Sequence, residues 1–460
     1  LRAISDLDTS LCLEAGAGTG KTTILVERFI SIVRSGRAEC SSIAAITFTE
    51  KAAAEMKDRV LLRVEELLAS GEPSGDERER LERARDEIER AQISTIHAFA
   101  AAVLREFPLE AGIDPDFQQL DGLDATLFED EAFTEFLGEA AGTHEAALRK
   151  LMPLGRPSRC VELLREITFH WYHDRTARAA GGIFEETSAA AASPREAFDP
   201  DRHRRFLVSS ADRLMELART GCVSPDDRGL EQITQFFSQT RHLAGLEGED
   251  LASRLLPVAP PKAKGNQGNW SPKEACAEQK ALCREIAEVH AKFVESYMDD
   301  LRASLESWCA GFERYTADRK RRAGVLDFDD LLIGARRLFD DEGALEALRG
   351  RYGYLLVDEF QDTDPLQAEL IMLLAGRPGS KGIDPEPGKL FVVGDPKQSI
   401  YRFRRADVEI YEQVKEAIAR SGSVISITQN FRSVPGITGW VNAAFSGLIR
   451  KPPDGRYMPG

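Results

Sequence analysis

Leu11 to Arg28 read LCLEAGAGTGKTTILVER. Leu11, Cys12 and Leu13 predict a short buried strand. Ala15, Gly16, Ala17, Gly18, Thr19, Gly20, Lys21, Thr22 and Thr23 follow, and then Ile24, Leu25, Val26, Phe29, Ile30 and Val33 recur at helical spacing. Strand, glycine-rich turn, Gly-Lys-Thr and helix make the context that a phosphate-binding loop requires. Glycines let the backbone wrap an anion with its N–H groups pointing inward. A helix starting near Lys21 adds its positive end. In this reading Lys21 reaches the β- and γ-phosphates of a nucleotide, and the Thr22 hydroxyl sits on Mg²⁺. Ala15 stands where the pattern usually opens on glycine, and it is small enough for the turn.

Further strands are expected on either side. Ile43 to Phe48 (IAAITF) predicts the second strand, running through Thr49-Glu50-Lys51 into a helix from Ala52 to Leu67. Gly71 to Gln92, rich in Glu and Arg at helical spacing, predicts a solvated helix. Ile93 to Phe99 (ISTIHAF) predicts a strand end and a turn before a helix from Ala100 to Phe107. Leu326 to Leu332 precedes another helix. Tyr354 to Val357 runs straight into Asp358-Glu359, Leu390 to Val393 into Gly394-Asp395, and Val424 to Ile427 into the Gln429 to Arg432 segment. Short apolar runs separated by helices predict an α/β fold whose mostly parallel sheet is covered on both faces. Ligands of such sheets sit beyond the carboxyl ends of the strands, and every polar motif named here lies at such an end.

From about Asp116 to Thr316 helical patterns dominate, which predicts a helical insertion between strands of the first domain. Irregular breaks fall at Ala189 to Pro200 and at Leu256 to Pro272, the latter expected to be a mobile loop. His170 and His173 have no carboxylate or cysteine pattern beside them, so a structural or surface role is expected. Cys276 and Cys283 are expected in a core.

The 460 residues allow about three domains at ~150 residues each. The net charge of −16 argues against a generic sticky nucleic-acid binder, so any such function must rest on local residues. No apolar run approaches the ~20 residues of a membrane span, and no signal peptide is visible. Seven cysteines without zinc spacing predict reduced thiols in a cytoplasmic protein. The chain opens on Leu1 rather than Met, so a preceding segment is expected.

Asp358-Glu359 reads as the second half of the nucleotide site. A carboxylate at a strand end can hold Mg²⁺ beside Thr22, and its neighbour Glu359 can orient and deprotonate a water. Gln398, after the next strand, can bond a γ-phosphate oxygen and a water. Arg432 can place charge against the same phosphate. Three features point to single-stranded nucleic acid: Phe48 at one strand end, Thr95 and His97 at the next, and Tyr401-Arg402-Phe403-Arg404-Arg405 beyond Gln398. Aromatic faces stack bases, and arginine adds phosphate and cation–π contacts. Core packing for Phe48 and Phe403, and a hydrogen-bonding role for His97, stay open.

Together these residues resemble the superfamily 1 DNA helicases of the UvrD/RecB type. AGAGTGKT resembles their motif I, AITFTEKAAAEMKDRV motif Ia, ISTIHAF motif Ib, LLVDEFQDT motif II, VGDPKQSIYRFRRAD motif III and ITQNFRS motif IV. The wording around ISTIHAF and the loop-rich insertion look most like the AddA/RecB branch. The resemblance implies a RecA-like domain formed by residues 1–117 and 317–460, with residues 118–316 as the inserted helical domain. It implies ATP and Mg²⁺ as cofactors, with Lys21 and Thr22 on phosphates and metal, Asp358 on the metal, Glu359 as base, and Gln398 and Arg432 reading the γ-phosphate. Phe48, His97, Tyr401, Phe403 and Arg404 would line a single-strand track. Phe403 stands where many members have Trp.

The resemblance also implies a 3′-to-5′ translocase or helicase in double-strand-break repair, with single-stranded DNA and duplex–single-strand junctions as partners. Nothing after Arg432 resembles motifs V and VI. A C-terminal RecA-like domain is therefore expected elsewhere, and the resemblance leaves room for a nuclease domain and a second repair subunit beside it. No match is visible for the upstream glutamine that reads adenine. A P-loop ATPase switch and a non-enzymatic DNA-binding scaffold are the alternatives.

Overall fold

The computed structural model describes residues 1–139, 145–180, 199–246, 251–379 and 382–446. The chain forms two compact units. The first comprises Leu1–Leu127, Asp174–Ser188 and Arg319–Gly460, and the second Phe128–His173 and Ala189–Asp318. Residues 174–180, which the sequence reading places inside the insertion, thus pack with the first unit.

The first unit is built on a six-stranded sheet. Its strands, numbered along the chain, are β1 (Leu11–Ala15), β2 (Ile43–Thr47), β3 (Gln92–Thr95), β4 (Tyr354–Val357), β5 (Leu390–Gly394) and β6 (Ser423–Ile427). They lie in the order β6-β1-β5-β4-β2-β3, and every pairing is parallel. Helices α1 (Lys21–Arg34), α2 (Glu50–Ser70), α3 (Ile96–Glu106), α4 (Phe328–Leu338), α5 (Pro365–Ala375) and α6 (Val408–Ser421) flank it.

Strand side chains alternate between faces with period two, and both faces are covered. Leu11, Leu13, Ile43, Ala45, Phe391 and Val393 pack with Phe29 and Ile30 of α1 and Met56 and Val60 of α2. Cys12, Ala44, Ile46, Leu355, Val357 and Val392 face the opposite layer, with Phe99 of α3, Leu331 of α4, Leu370 of α5 and Tyr411 of α6. This is why the strands read as continuous apolar runs. The fold is the α/β, RecA-like arrangement expected from the sequence.

Helix starts are set by side-chain caps at the carboxyl edge of this sheet. Thr49 accepts from the Ala52 amide, Thr95 from Ala98 and Asp364 from Gln367. Asp327 and Asp330 form a capping box at the start of α4. The cap at Thr95 corrects one expectation. No turn separates β3 from its helix; α3 begins at Ile96, and His97 lies in its first turn.

The second unit is helical. Leu207, Leu214, Phe236, Cys276, Cys283 and Ile286 form one core, and Phe133, Leu164, Tyr172, Trp308 and Phe312 another. His173 pairs with Glu129 at 2.8 Å. The stretch Leu256 to Pro272, expected to be mobile, is pinned. Asp227 accepts from the Asn266 amide and the Asn269 side chain, both at 2.9 Å, and Trp270 is buried. The expected break at Ala189 to Pro200 lies, up to residue 198, outside the described residues. All seven cysteines are free thiols. Among the described residues no helix is long and apolar enough to cross a membrane.

Candidate functional site

The loop after β1 owes its shape to two glycines. Gly18 (φ 76°) and Gly20 (φ 84°) occupy the left-handed region, where a Cβ is strained. Thr19 turns its hydroxyl inward and donates to the Gly16 carbonyl at 2.7 Å. Gly20 caps α1, so the positive end of that 14-residue helix opens onto the loop. Lys21 is its first residue and is buried, Thr22 is half-buried, and Thr23 is exposed.

Across the loop lies the end of β4. Lys21 Nζ is 2.7 Å from Glu359 Oε2. Glu359 is one of two non-glycine residues with positive φ among those described, at φ 49°. Burial, with the Glu359 charge beside it, pushes the Asp358 carboxyl up to about 6.

Gln361 was not singled out by sequence, yet it joins the two halves. Its Nε2 donates to Glu359 Oε2 at 2.9 Å, and its Oε1 accepts from the Asp395 amide at 2.9 Å. The Asp395 carboxylate accepts from Gln398 Nε2 at 2.7 Å. The Gln398 amide is therefore held by Asp395, whose Oδ2 lies 3.8 Å from where a Cβ on Gly16 would stand.

Asn430 is the second residue that sequence missed. Its Nδ2 donates to the Ala17 carbonyl at 2.8 Å, while its Oδ1 accepts from the amides of Arg432 and Ser433. The Phe431 amide donates to the Gly18 carbonyl at 2.8 Å. These bonds dock the Gln429–Ser433 segment on the phosphate loop, and Arg432 stands exposed at its edge.

These residues fit a magnesium nucleoside triphosphate. They provide a cradle lacking Cβ atoms at two left-handed positions, a helix N-terminus, a buried lysine, and a buried carboxylate whose proton affinity is raised. Lys21 and the loop amides would hold phosphate, and Thr22 and Asp358 would hold the metal.

The nucleic-acid candidates gather at the neighbouring strand ends. A cleft of about 570 Å³ is lined by Phe48, Thr95, His97, Phe403 and Arg404, with Asp358 and Glu359 also on its wall. Tyr401 packs at its margin with tilted rings, 4.8 Å from Phe48 and 5.8 Å from Phe403. The Arg404 guanidinium lies 5.6 Å from the Tyr401 ring centre. Phe403 is 78% exposed, so core packing is not its role. Phe48 is half-buried. Thr95 is already engaged, capping α3 and donating to Glu50 at 2.7 Å. Burial pushes the His97 imidazole down to about 4, so it is neutral at pH 7, and its ring meets Phe328 edge-on at 5.3 Å.

Comparison with known proteins bears on this geometry. The profile of the UvrD/REP helicase N-terminal domain matches residues 1–419. An ATP-dependent helicase/nuclease subunit from Exiguobacterium sibiricum is 28% identical over 97% of this chain. The proteins of the same description from Syntrophomonas wolfei and Moorella thermoacetica are 27% and 28% identical, again over 97% of the chain. The chain spans only 34% to 39% of the length of these curated relatives.

Proposed function

The chain belongs to the UvrD/REP helicase N-terminal domain family, and from that membership we propose that it is the ATP-binding half of an ATP-dependent DNA helicase. In this reading the enzyme translocates 3′ to 5′ on single-stranded DNA and serves double-strand-break repair. One observation carries the proposal: a hydrogen-bonded path from the phosphate loop to Gln398, at the foot of the segment that bears the aromatic platform. Lys21 meets Glu359, Glu359 meets Gln361, Gln361 meets Asp395, and Asp395 meets Gln398, three residues before Tyr401. A change at the nucleotide has a route of direct bonds to Gln398, and from there along three residues of backbone to Tyr401.

Mg-ATP supplies the cleavable phosphoanhydride. The chain's own residues do the rest. The loop amides and Lys21 bind and orient phosphate, and Thr22 and Asp358 hold the metal. Glu359, once its pairing with Lys21 is released, is free to take a proton from water. Gln398 and Arg432 would respond to the γ-phosphate. Phe48, Tyr401 and Phe403 offer ring faces to bases, and Arg404 offers charge to the backbone. The exposed Phe403 favours a nucleic-acid motor over an ATPase switch, because an unburied ring beside arginines has no packing role.

The helix Pro435–Phe445 buries none of its residues, and Ile437, Trp440 and Phe445 are exposed. Such a bare apolar face supports the reading that further chain covers it. A second RecA-like domain, a nuclease domain and a second subunit belong to this proposal.

The test is Phe403→Ala in anisotropy titrations with a thymidine oligonucleotide and with a duplex. Single-strand binding should weaken by ~1–3 kcal/mol, the scale of one stacked base. Because the ring is exposed, the fold should be untouched. Equal losses on single strand and duplex would count against the stacking track.

A further inference from the structure

The segment Tyr401 to Arg405 carries the aromatic platform, yet packing does not hold it, since none of Arg402–Arg404 is buried. It is a single tight turn. The Arg404 amide donates to the Tyr401 carbonyl at 2.7 Å, Arg405 to Arg402 at 2.9 Å, and Ala406 to Tyr401 at 3.2 Å. The turn ends on Arg405 at φ 67°, a left-handed conformation that favours glycine. A strained non-glycine residue persists when its side chain is needed.

That side chain leaves the turn and enters a fixed frame. The Arg405 guanidinium bonds the Thr176 hydroxyl and lies 3.8 Å from Asp329 Oδ2. Thr176 is buried. Asp329 is also paired with Arg175, at 3.3 Å. Arg175 holds Asp327 at 2.6 Å, and Lys320 holds Asp330 at 2.6 Å. Asp327 and Asp330 are the capping pair of α4, so the frame is tied to a helix of the core. All of these residues belong to the first unit.

We infer that Arg405 is a positioning residue. Its side chain anchors the Tyr401–Arg404 turn to Thr176 and Asp329, and so fixes where the rings and Arg404 stand over the cleft. A buried hydroxyl and a shared carboxylate are suited to this task. Asp329 is also paired with Arg175 and Thr176 is buried, and one guanidinium nitrogen, Nη1, reaches both. The inference rests on the single-strand reading above for its functional consequence, and on the contacts alone for the anchor itself.

The cleanest test leaves the turn untouched. Thr176→Val removes the hydroxyl at nearly constant volume. Two readouts are taken: hydrogen exchange of the amides of residues 404–406, and anisotropy with a thymidine oligonucleotide. Exchange should speed up, and oligonucleotide affinity should fall about fivefold, the loss expected of one hydrogen bond. Nucleotide affinity and the thermal midpoint should stay unchanged. Thr176→Ser should restore both readouts. Arg405→Gln and Thr176→Val together should cost clearly less than the sum of the two alone, because both act on one anchor.

Wild-type exchange in Thr176→Val would overturn the inference. So would full additivity of the two substitutions, which would mean that Arg405 meets the nucleic acid itself. If Thr176→Val unfolds, Asp329→Asn reads the same anchor from its other partner. Should the unaltered chain bind no oligonucleotide, the single-strand reading fails, and the exchange measurement still decides the anchor.

Discussion

Three glycines in the phosphate loop should respond to alanine in graded fashion. At Gly16 an added Cβ would meet Asp395 Oδ2 at 3.8 Å and Thr19 Cγ2 at 3.9 Å, ordinary contacts, and no left-handed backbone is involved. At Gly20 nothing lies within 4 Å, but φ is 84°, so only strain is added. At Gly18 φ is 76° and the new atom would stand 2.5 Å from Arg432 Cβ and 3.0 Å from Asn430 Oδ1. A left-handed Cβ costs roughly 1–2 kcal/mol. Displacing the Asn430 segment also breaks its bonds to the Ala17 and Gly18 carbonyls, about 1 kcal/mol each. If the conformation seen here is the one that binds phosphate, these costs appear in affinity, at about 1.4 kcal/mol per tenfold. Calorimetric titration with a magnesium complex of a non-hydrolysable ATP analogue is the assay. Gly16→Ala should bind nearly as the unaltered chain does, Gly20→Ala about tenfold more weakly, and Gly18→Ala about 100-fold or more. A Gly18→Ala protein that is folded and binds no worse than Gly16→Ala would refute the reasoning. It would mean that the docked Asn430–Arg432 segment is not part of the nucleotide-binding state.

Other outcomes follow from the same contacts. Lys21→Ala should abolish Mg-ATP binding or weaken it severely in the same titration; unchanged affinity in a folded protein would sink the phosphate-loop assignment. In the second unit, His203 is buried against His290 at 2.9 Å, and burial holds its imidazole down to about 4 against an ordinary 6.5. The folded state keeps it neutral while the unfolded chain takes up the proton, so stability is full above pH ~6.5 and falls as the pH drops toward ~4, by about 3 kcal/mol in all and about 2 kcal/mol at pH ~5. Urea unfolding at several pH values, followed by the fluorescence of the buried Trp270 and Trp308, should show this slope. His203→Phe should reduce the slope, with burial of His290 keeping a remainder, and an unchanged slope in that variant would place the acid lability elsewhere.

Much of the architecture was legible in local sequence. Leu11–Ala15 and Ile43–Thr47 are buried almost throughout, and their continuous apolar runs are what strands covered on both faces show. The phosphate loop, its helix and the strand that ends at Asp358 are likewise signalled within a few residues, since turns and caps are short-range hydrogen bonds. The Thr95 cap was there to be read as well; the expected turn at Ile96 to Phe99 overlooked that a threonine before an apolar run can start a helix at once.

What only the tertiary structure decided concerns partners distant along the chain. Gln361 looked like one letter of a motif until its two ends were found on Glu359 and the Asp395 amide. Asn430 meets Ala17 across more than 400 residues of sequence. The Pro- and Gly-containing stretch before Pro272 has the composition of a loose loop, and its order comes from Asp227, which no local pattern couples to it. Arg405 reads as one more cation in a basic run, whereas its left-handed backbone and its hold on Thr176 exist only once segment 174–180 is packed beside α4. Periodicity and caps act over one or two turns and can be read in order along the chain. A single long-range hydrogen bond depends on where the sheet and helices finally bring two side chains, and neither residue's neighbours encode that meeting.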